Sequence, residues 1–282
     1  MIRIISDSTC DLTKELLAKY DISILPLHVV LGDKDLLDGV TITPDEIYEW
    51  ADANKTTPKT SAPSIEDAID LFRPFIENGD EIIYFSISKE MSTSINVINL
   101  AADELEATDK IHVIDSANLS TGVGHLVLEA ATMAKEGMNA KDIVARIEEL
   151  KPLVRASFVV DTLTYLHRGG RCGSVAALAG GVLKLHPKIV VEDGKMNATK
   201  KYRGKMDSVI LSYAKDMEAD LKNAKTDRVF ITHSGCNEDI IQSVHSYLKD
   251  LNVFNEIIIT RAGSVISSHC GYGTLGVLFI SK

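Results

Sequence analysis

The chain has few cysteines and no long apolar segment. Its 282 residues include four cysteines, none of them in a CxxC pair, and such scattered thiols predict neither a zinc knuckle nor a disulfide framework. The uncharged stretch of residues 172–183 is too short and too rich in glycine and alanine to span a bilayer. Residues 1–7 contain only a short apolar run, unlike a signal peptide. We therefore expect a cytoplasmic protein with no metal site and no stable insertion into a membrane.

Positive charge is scarce over most of the chain. Thirty Lys and Arg stand against 40 Asp and Glu, for a formal charge of −10. A field of this sign repels phosphates, so we expect no general affinity for nucleic acid. Residues 168–205 are the exception, with nine basic and two acidic side chains. This segment is either a solvated basic face or a docking patch for an acidic or phosphorylated partner.

Motifs for nucleotide binding and acyl transfer are missing or lie in the wrong context. Residues 271–276 match the pattern GxGxxG, but only six residues follow them, and those six resemble a strand. A dinucleotide-binding glycine motif instead opens a helix and has an acidic residue roughly 20 positions later. No Ser-His-Asp order with a nucleophile elbow can be assembled either. We therefore predict no nucleotide site and no cofactor.

Short β-branched segments alternate with amphipathic helices along most of the chain. Residues 24–30 are a predicted strand, and residues 43–46 are a strong helix start, with a threonine cap and a proline at the first helical position. This alternation predicts an α/β fold with a largely parallel sheet flanked by helices. After residue 152 glycine-rich loops separate the strands. We therefore predict two α/β domains, residues 1–152 and 153–282, the second with a mixed sheet and helices, and a ligand near their interface.

Two hydroxyl-rich segments stand at predicted helix starts. Thr60 and Ser61 precede one helix, and Ser92 belongs to residues 88–94, which follow a strand and open another helix. Hydroxyl groups and backbone N–H groups at a helix N-terminus suit an anion. Without a neighbouring base they indicate binding of a carboxylate or phosphate. The alternative is that each serine only caps its own helix.

The residues alone do not decide the roles of the Asp7-Ser8 pair and of His269. Asp7 and Ser8 follow the first strand, where open α/β sheets bind ligands, but Asp and Ser are also common helix caps. His269 lies between small residues in a predicted loop, from which its ring can reach a ligand. An ordinary packed histidine is the alternative there. Spacing alone assigns a role to neither position.

Taken together, the chain resembles the DegV family of bacterial fatty-acid-binding proteins over nearly its whole length. The segments that carry the resemblance are Asp7-Ser8-Thr9-Cys10-Asp11-Leu12, Thr60-Ser61-Ala62-Pro63-Ser64, the loop of residues 88–94, Asp115-Ser116, Leu163-Thr164-Tyr165-Leu166, Gly169-Gly170-Arg171, Leu185-His186-Pro187, Asp193-Gly194, Arg203 and His269-Cys270-Gly271-Tyr272-Gly273-Thr274-Leu275-Gly276. Each segment is weak alone, but their order and spacing make the match specific.

The resemblance implies two α/β domains that hold an acyl chain between or within them. It implies that the hydroxyls of Thr60, Ser61 and Ser92 hold the carboxylate of a long-chain, palmitate-like fatty acid. His269 would then be a nearby donor. The uncharged residues 173–182 would either pack beside the acyl tail or form a buried core helix.

We therefore expect a fatty-acid carrier without catalytic activity of its own. Similar proteins in some bacteria present the bound acid to a separate fatty acid kinase. On that analogy, Arg171 and Arg203 form the face that meets the kinase. The alternative hypothesis is a phosphotransferase or hydrolase of a small phosphorylated substrate, which would use Asp7 and Ser8.

Overall fold

The computed structural model of the protein describes residues 1–173 and 185–282. Of the uncharged residues 173–182, for which the sequence predicts either packing beside an acyl tail or a buried core helix, all but Gly173 lie outside the described residues. The described strands are β1 (Ile2–Asp7), β2 (Ile22–Leu25), β3 (His28–Leu31), β4 (Lys34–Leu37), β5 (Lys59–Ser61), β6 (Glu81–Ser86), β7 (Ile111–Asp115), β8 (Val154–Val159), β9 (Leu185–Glu192), β10 (Lys195–Arg203), β11 (Arg228–His233), β12 (Glu256–Arg261) and β13 (Leu275–Ile280). The described α-helices are α1 (Lys14–Tyr20), α2 (Pro44–Asn54), α3 (Ile65–Glu77), α4 (Ser94–Glu104), α5 (Thr121–Lys135), α6 (Ala140–Leu150), α7 (Thr164–Gly169), α8 (Met206–Asp216), α9 (Glu218–Lys222), α10 (Glu238–Leu251) and α11 (Ser264–Cys270).

The first sheet has the strand order β2-β1-β6-β7, and every neighbouring pair is parallel. Side chains alternate along its strands, as in any pleated sheet. Ile82 and Tyr84 pack in the core cluster with α3 and α4, whereas Ile83 and Phe85 pack in the cluster with α5 and α6. The predicted α/β fold, with a largely parallel sheet flanked by helices, is confirmed.

The second sheet is mixed, with the order β10-β9-β8-β13-β11-β12. Only β11 and β12 form a parallel pair within it, and the other neighbours are antiparallel. Helices α8 and α10 cover one face, where Tyr213 and Val244 are fully buried. The predicted mixed sheet with helices is therefore confirmed. Residues 271–276 lead into strand β13 and not into a helix, as the sequence predicts.

A small antiparallel sheet, β4-β3-β5, corrects one sequence prediction. Residues 24–30 are not one strand, because β2 ends at Leu25 and β3 begins at His28 in a different sheet. Pro26 lies between them, and proline cannot donate a backbone hydrogen bond to a sheet. The strands β4 and β5 escaped detection because they are three or four residues long and mostly polar.

Helix α5 lies between the two large sheets. Every residue from Thr121 to Leu128 is buried, as expected for a helix that is apolar all round. It contacts β1 and β6 of the parallel sheet and β8 and β13 of the mixed sheet. One core cluster therefore includes residues from both halves of the chain. The division into domains at residue 152 stays a prediction.

Two buried carboxylates from the N-terminal half hold the start of helix α11. Asp11 accepts a hydrogen bond from the Gly263 backbone N–H (2.8 Å) and another from the Ser120 hydroxyl. Asp38 accepts from the Ser264 backbone N–H at 2.6 Å. These contacts satisfy amides that a helix start leaves unpaired. Helix α11 is thereby fixed against a part of the chain that precedes it by more than 200 positions.

We predict that Asp11→Asn flattens the pH dependence of stability between about pH 4 and 8. Burial raises the pKa of Asp11 from 3.8 to about 8. The folded protein therefore keeps a proton that the unfolded chain has released, and stability falls as the pH rises towards 8. Asparagine accepts the same backbone hydrogen bond and tolerates the left-handed φ of 51° at this position, but it does not titrate.

Thermal unfolding across this pH range measures the effect, and Asp109→Asn at an exposed turn is the matched control. An Asp11→Asn variant with the same pH dependence as the wild type would contradict the prediction.

Candidate functional site

A cavity of about 430 Å³ lies where β5, the loop of residues 88–93 and helix α11 meet. Apolar side chains form much of its lining, namely Leu27, Ile87, Met91, Leu119, Met196, Val265 and Ile266. Polar and charged side chains form the rest, namely Thr60, Ser61, Lys89, Glu90, Ser92, Thr93, Arg171 and His269. A lining that combines apolar side chains with polar and charged ones suits a small amphipathic molecule.

A second, much smaller cavity of about 20 Å³ adjoins the first. Leu119, Ile266 and Cys270 line both cavities, and the smaller one adds Phe158 and Leu278 from the mixed sheet. The apolar lining therefore continues from the larger cavity towards the core.

The structure brings Thr60 and His269 into direct contact. The Thr60 hydroxyl lies 2.8 Å from Nε2 of His269, although 209 positions separate the residues in the chain. His269 lies on helix α11, so the prediction that it occupies a loop is wrong. The cause is that its serine-rich sequence has weak helix propensity, and tertiary contacts at Gly263 and Ser264 start the helix instead.

The imidazole of His269 is electrically neutral at neutral pH. Burial, with a smaller effect from Arg171, lowers its pKa from 6.5 to about 4. Its Nδ1 is buried and has no hydrogen-bond partner among the described residues. A neutral imidazole carries one N–H, and a proton on Nε2 has an acceptor whereas a proton on Nδ1 would not. The arrangement therefore favours donation from Nε2 to the Thr60 oxygen, which leaves the Thr60 proton available to a ligand.

Ser92 stands at the start of helix α4. Its Oγ accepts from the Ser94 backbone N–H (3.2 Å) and lies 2.7 Å from the Ser94 hydroxyl. When Ser94 donates in that pair, the Ser92 proton is available to a second acceptor. The positive end of the helix dipole also favours an anion at this place. Glu90, in the same loop, forms an ion pair with Lys195 (3.3 Å), which compensates its negative charge.

Of the other predicted site residues, Ser61 and Arg171 line the cavity and Arg203 does not. Thr60 and Ser61 are consecutive on β5, so their side chains project to opposite faces of the small sheet, and Ser61 is exposed although it lines the cavity. Arg171 is exposed, lines the cavity and donates to the Gly169 carbonyl (2.7 Å). Arg203 ends β10, is exposed, and is not among the residues that line the cavity.

Asp7 and Ser8 lie outside the cavity lining and serve the fold. The Asp7 carboxylate is fully buried and accepts from the backbone N–H groups of Thr9 (3.1 Å) and Ile87 (2.7 Å). The Ser8 hydroxyl donates to Asp38 at 2.8 Å. Both side chains are committed to internal hydrogen bonds, so nothing in the geometry favours a reaction at them.

Within residues 1–173 and 185–282, no group of three or more His, Cys, Asp or Glu side chains is arranged to hold a metal ion. None of the helices in the same ranges combines the length and apolar character needed to cross a membrane.

The structure is that of an α/β protein with a cavity where β5, the loop of residues 88–93 and helix α11 meet. The family model described as "Uncharacterised protein, DegV family" matches residues 1–282. The chain belongs to the DegV family, which confirms the resemblance seen in the sequence.

Relatives of similar length support this assignment. A DegV domain-containing protein of Deinococcus radiodurans is 32% identical over 277 residues, covering 98% of this chain and 97% of that protein. A structure described as showing fatty acid binding of a DegV family protein from Thermus thermophilus matches with a TM-score of 0.91 and 30% identity, covering 100% of this chain and 99% of that one. A stearic acid-binding protein from Eubacterium ventriosum matches with a TM-score of 0.87 and 31% identity, covering 100% and 99% of the two chains.

Sequence reasoning missed the part that Gly169 plays in the site. A Cβ atom added to Gly169 would collide with Nδ1 of His269, so the backbone of α7 approaches the ring more closely than a side chain permits. The pair Gly169-Gly170 was the available signal, but glycine has several uses. Only the fold shows that Gly169 faces a histidine 100 positions later.

We predict that Gly169→Ala displaces the His269 ring and breaks its contact with Thr60. Overpacking of this kind destabilises proteins by about 1–3 kcal/mol. Urea unfolding measures the loss, and the imidazole NMR signals of His269 report the ring's movement. Gly173→Ala is the matched control, because a Cβ there meets no described atom within 4 Å. Unchanged stability together with unchanged His269 signals would show that the contact tolerates a methyl group.

Proposed function

We propose that this protein binds a long-chain fatty acid, with the tail in the apolar part of the cavity and the carboxylate held by hydroxyl groups. The observation that carries the proposal is the Thr60–His269 hydrogen bond (2.8 Å) in a cavity that Ser92 also lines. Relatives from Thermus thermophilus and Eubacterium ventriosum that match the whole chain are described as binding fatty acid and stearic acid. Their similarity supports the same ligand class here.

The head group is held by neutral donors. Thr60 has a hydroxyl proton available when His269 donates to it, and Ser92 has one when Ser94 donates to it. Ser61 adds a third hydroxyl at the edge of the cavity. Hydrogen bonds to a charged acceptor contribute roughly 1.5–3 kcal/mol each. His269 acts through Thr60, because its own N–H bonds the Thr60 oxygen. Arg171 adds positive charge to the lining, which favours a carboxylate further, whereas the charge of Lys89 is partly compensated by Asp115 at 3.6 Å.

The tail supplies most of the affinity. Burial of roughly fourteen methylenes at ~0.8 kcal/mol each offers about 11 kcal/mol before the cost of association. The cavity volume of about 430 Å³ is within the ordinary range for small-molecule sites. The hydroxyl groups therefore fix the orientation of the acid more than they set its total binding energy.

We also propose that the protein is a cytoplasmic carrier that presents the acid to a separate fatty acid kinase and has no catalytic activity alone. The basic residues of segment 168–205 support a docking face for such a partner, since the remainder of the chain is strongly acidic. Arg203 is exposed at the end of β10, and Arg171 is exposed beside the cavity. The carboxylate would thus lie close to the partner's reacting groups. No cofactor is part of this proposal.

We predict that Ser92→Ala and Thr60→Val each weaken palmitate binding by roughly 1–3 kcal/mol, because each removes one donor to the carboxylate. Isothermal titration calorimetry on delipidated protein gives the measurement, with exposed Ser212→Ala as the control. Ser61→Ala shows whether the third hydroxyl contributes. Before delipidation, solvent extraction and mass spectrometry should find an acyl chain on the purified protein. Absence of any acyl species, together with no binding of added palmitate, would refute the proposed function.

We predict that Arg203→Glu abolishes association with the fatty acid kinase of the same organism and leaves palmitate binding intact, because Arg203 lies outside the cavity lining. Arg171→Glu should weaken both, since its side chain lines the cavity. Analytical ultracentrifugation measures the association, with exposed Arg73→Glu as the control for charge. Association that survives both substitutions would exclude this docking face.

A further inference from the structure

His28 on strand β3 lies between two carboxylates from different elements. Its Nδ1 is 2.8 Å from Oδ1 of Asp35 on β4, and its Nε2 is 3.1 Å from Oδ2 of Asp67 on α3. The side chain of His28 is only 16% exposed, whereas Asp35 is 60% exposed and Asp67 is 39% exposed. The ring is therefore enclosed and faces a negatively charged group at each nitrogen.

The pairing of β3 with β5 and the carboxylate of Asp67 connect the ring to the segment that carries Thr60 and Ser61. His28 is the direct cross-strand partner of Ser61 in the β3–β5 pair. Asp67 also accepts from the backbone N–H (2.9 Å) and the hydroxyl (2.6 Å) of Ser64, which closes the capping box of α3. The ring thus contacts the strand before the loop of residues 62–63 and, through Asp67, the residue after it.

Only the doubly protonated ring satisfies both contacts. An imidazolium has two N–H donors, whereas a neutral imidazole has one donor and one lone pair. Burial alone would lower the pKa of His28, but the hydrogen bonds and charges of Asp35 and Asp67 raise it above 6.5 overall. When the proton leaves, one ring nitrogen turns a lone pair towards a carboxylate, and that contact becomes unfavourable.

The other charged groups on the elements packed against the ring do not bond to it. They are Lys34 on β4, Lys59 on β5, and Glu66, Asp70, Arg73 and Glu77 on α3. Lys34 pairs with Leu31, so its side chain projects from the face of the small sheet opposite to His28. Lys59 lies two positions before Ser61 on β5 and therefore on the same face as His28. The two bonded carboxylates therefore dominate the ring's surroundings.

We propose that His28 is a positioning residue for the head-group site: its charged form holds β5 and the start of α3 in the arrangement that binds the fatty-acid carboxylate, and loss of its proton loosens that arrangement. This inference rests on the proposed fatty-acid binding. His28 does not line the cavity, so it acts through Thr60 and Ser61 and not on the ligand. Retention of the acid is then strongest below the pKa of His28 and declines as the pH rises through it.

The test compares palmitate affinity of the wild type and His28→Gln at a series of pH values. Because the ligand and the groups that do not contact His28 titrate equally in both proteins, and Asp67, whose pKa is low, stays charged over this range, the ratio of their affinities isolates His28. We expect the wild type to bind about threefold more tightly at pH 6 and equally at pH 9, the scale of a partly exposed ion pair. His112→Gln is the matched control, since His112 pairs with Glu81 (3.2 Å) on the parallel sheet away from the cavity.

A second variant keeps the test decisive if His28→Gln folds poorly. Asp35→Asn removes one carboxylate and leaves the capping box of Asp67 intact. Because Asp35 raises the pKa of His28, palmitate affinity should then begin to decline at a lower pH. By reciprocity, palmitate should raise the NMR titration midpoint of the His28 ring.

Three outcomes are possible. A pH-dependent ratio that His112→Gln does not reproduce supports the proposal. A ratio that stays constant from pH 6 to 9, with an unmoved His28 midpoint, overturns the positioning role and leaves the proposed function intact. If neither protein binds palmitate at any pH, the proposed function fails and this inference fails with it.

Discussion

Helix α11 begins at Ser264, yet carboxylates from the first forty residues of the chain bond the backbone amides at its start. Asp11 and Asp38 bring the helix against the N-terminal half, and the helix in turn places His269 beside Thr60. Without these contacts the cavity would have no wall on that side, since Val265, Ile266 and His269 all line it. The head-group site therefore depends on two acidic groups that never touch it.

This arrangement is costly for the fold. Desolvation raises the pKa of Asp7, Asp11 and Asp38, which means that the charged forms are less stable inside the protein than in water. A structure selected only for stability would gain by replacing buried carboxylates with apolar side chains. The backbone amides that these groups accept from explain why they are kept. Each pairs a backbone N–H that packing alone would leave unsatisfied, and Asp11 and Asp38 do so between the two halves of the chain.

The order of strands and helices was predictable because it depends on local signals. The capping box at Thr43 and the proline after it fix the start of α2, as the sequence indicates. The sequence signals failed where contacts between residues far apart in the chain decide the structure. The split at Pro26 creates a third sheet from short strands, and distant acidic side chains bond the start of the serine-rich helix α11. Thr60, Ser92 and His269 came from hydroxyl patterns and family resemblance, whereas the pairing of Thr60 with His269 across 209 positions required the fold.

The two histidines near the head-group site have opposite electrostatic environments. His269 is buried and no carboxylate among the described residues bonds to it, so its pKa is lowered to about 4 and it stays neutral over the whole physiological range. His28 is enclosed between two carboxylates, so its pKa is raised. A charged His269 would attract a carboxylate more strongly. It would also slow the release of the bound acid and make that release depend on the protonation of His269. His269 and Thr60, which face the ligand, stay neutral, whereas His28, which does not line the cavity, titrates. A change in pH therefore alters the geometry of the site and not the charge of these two donors.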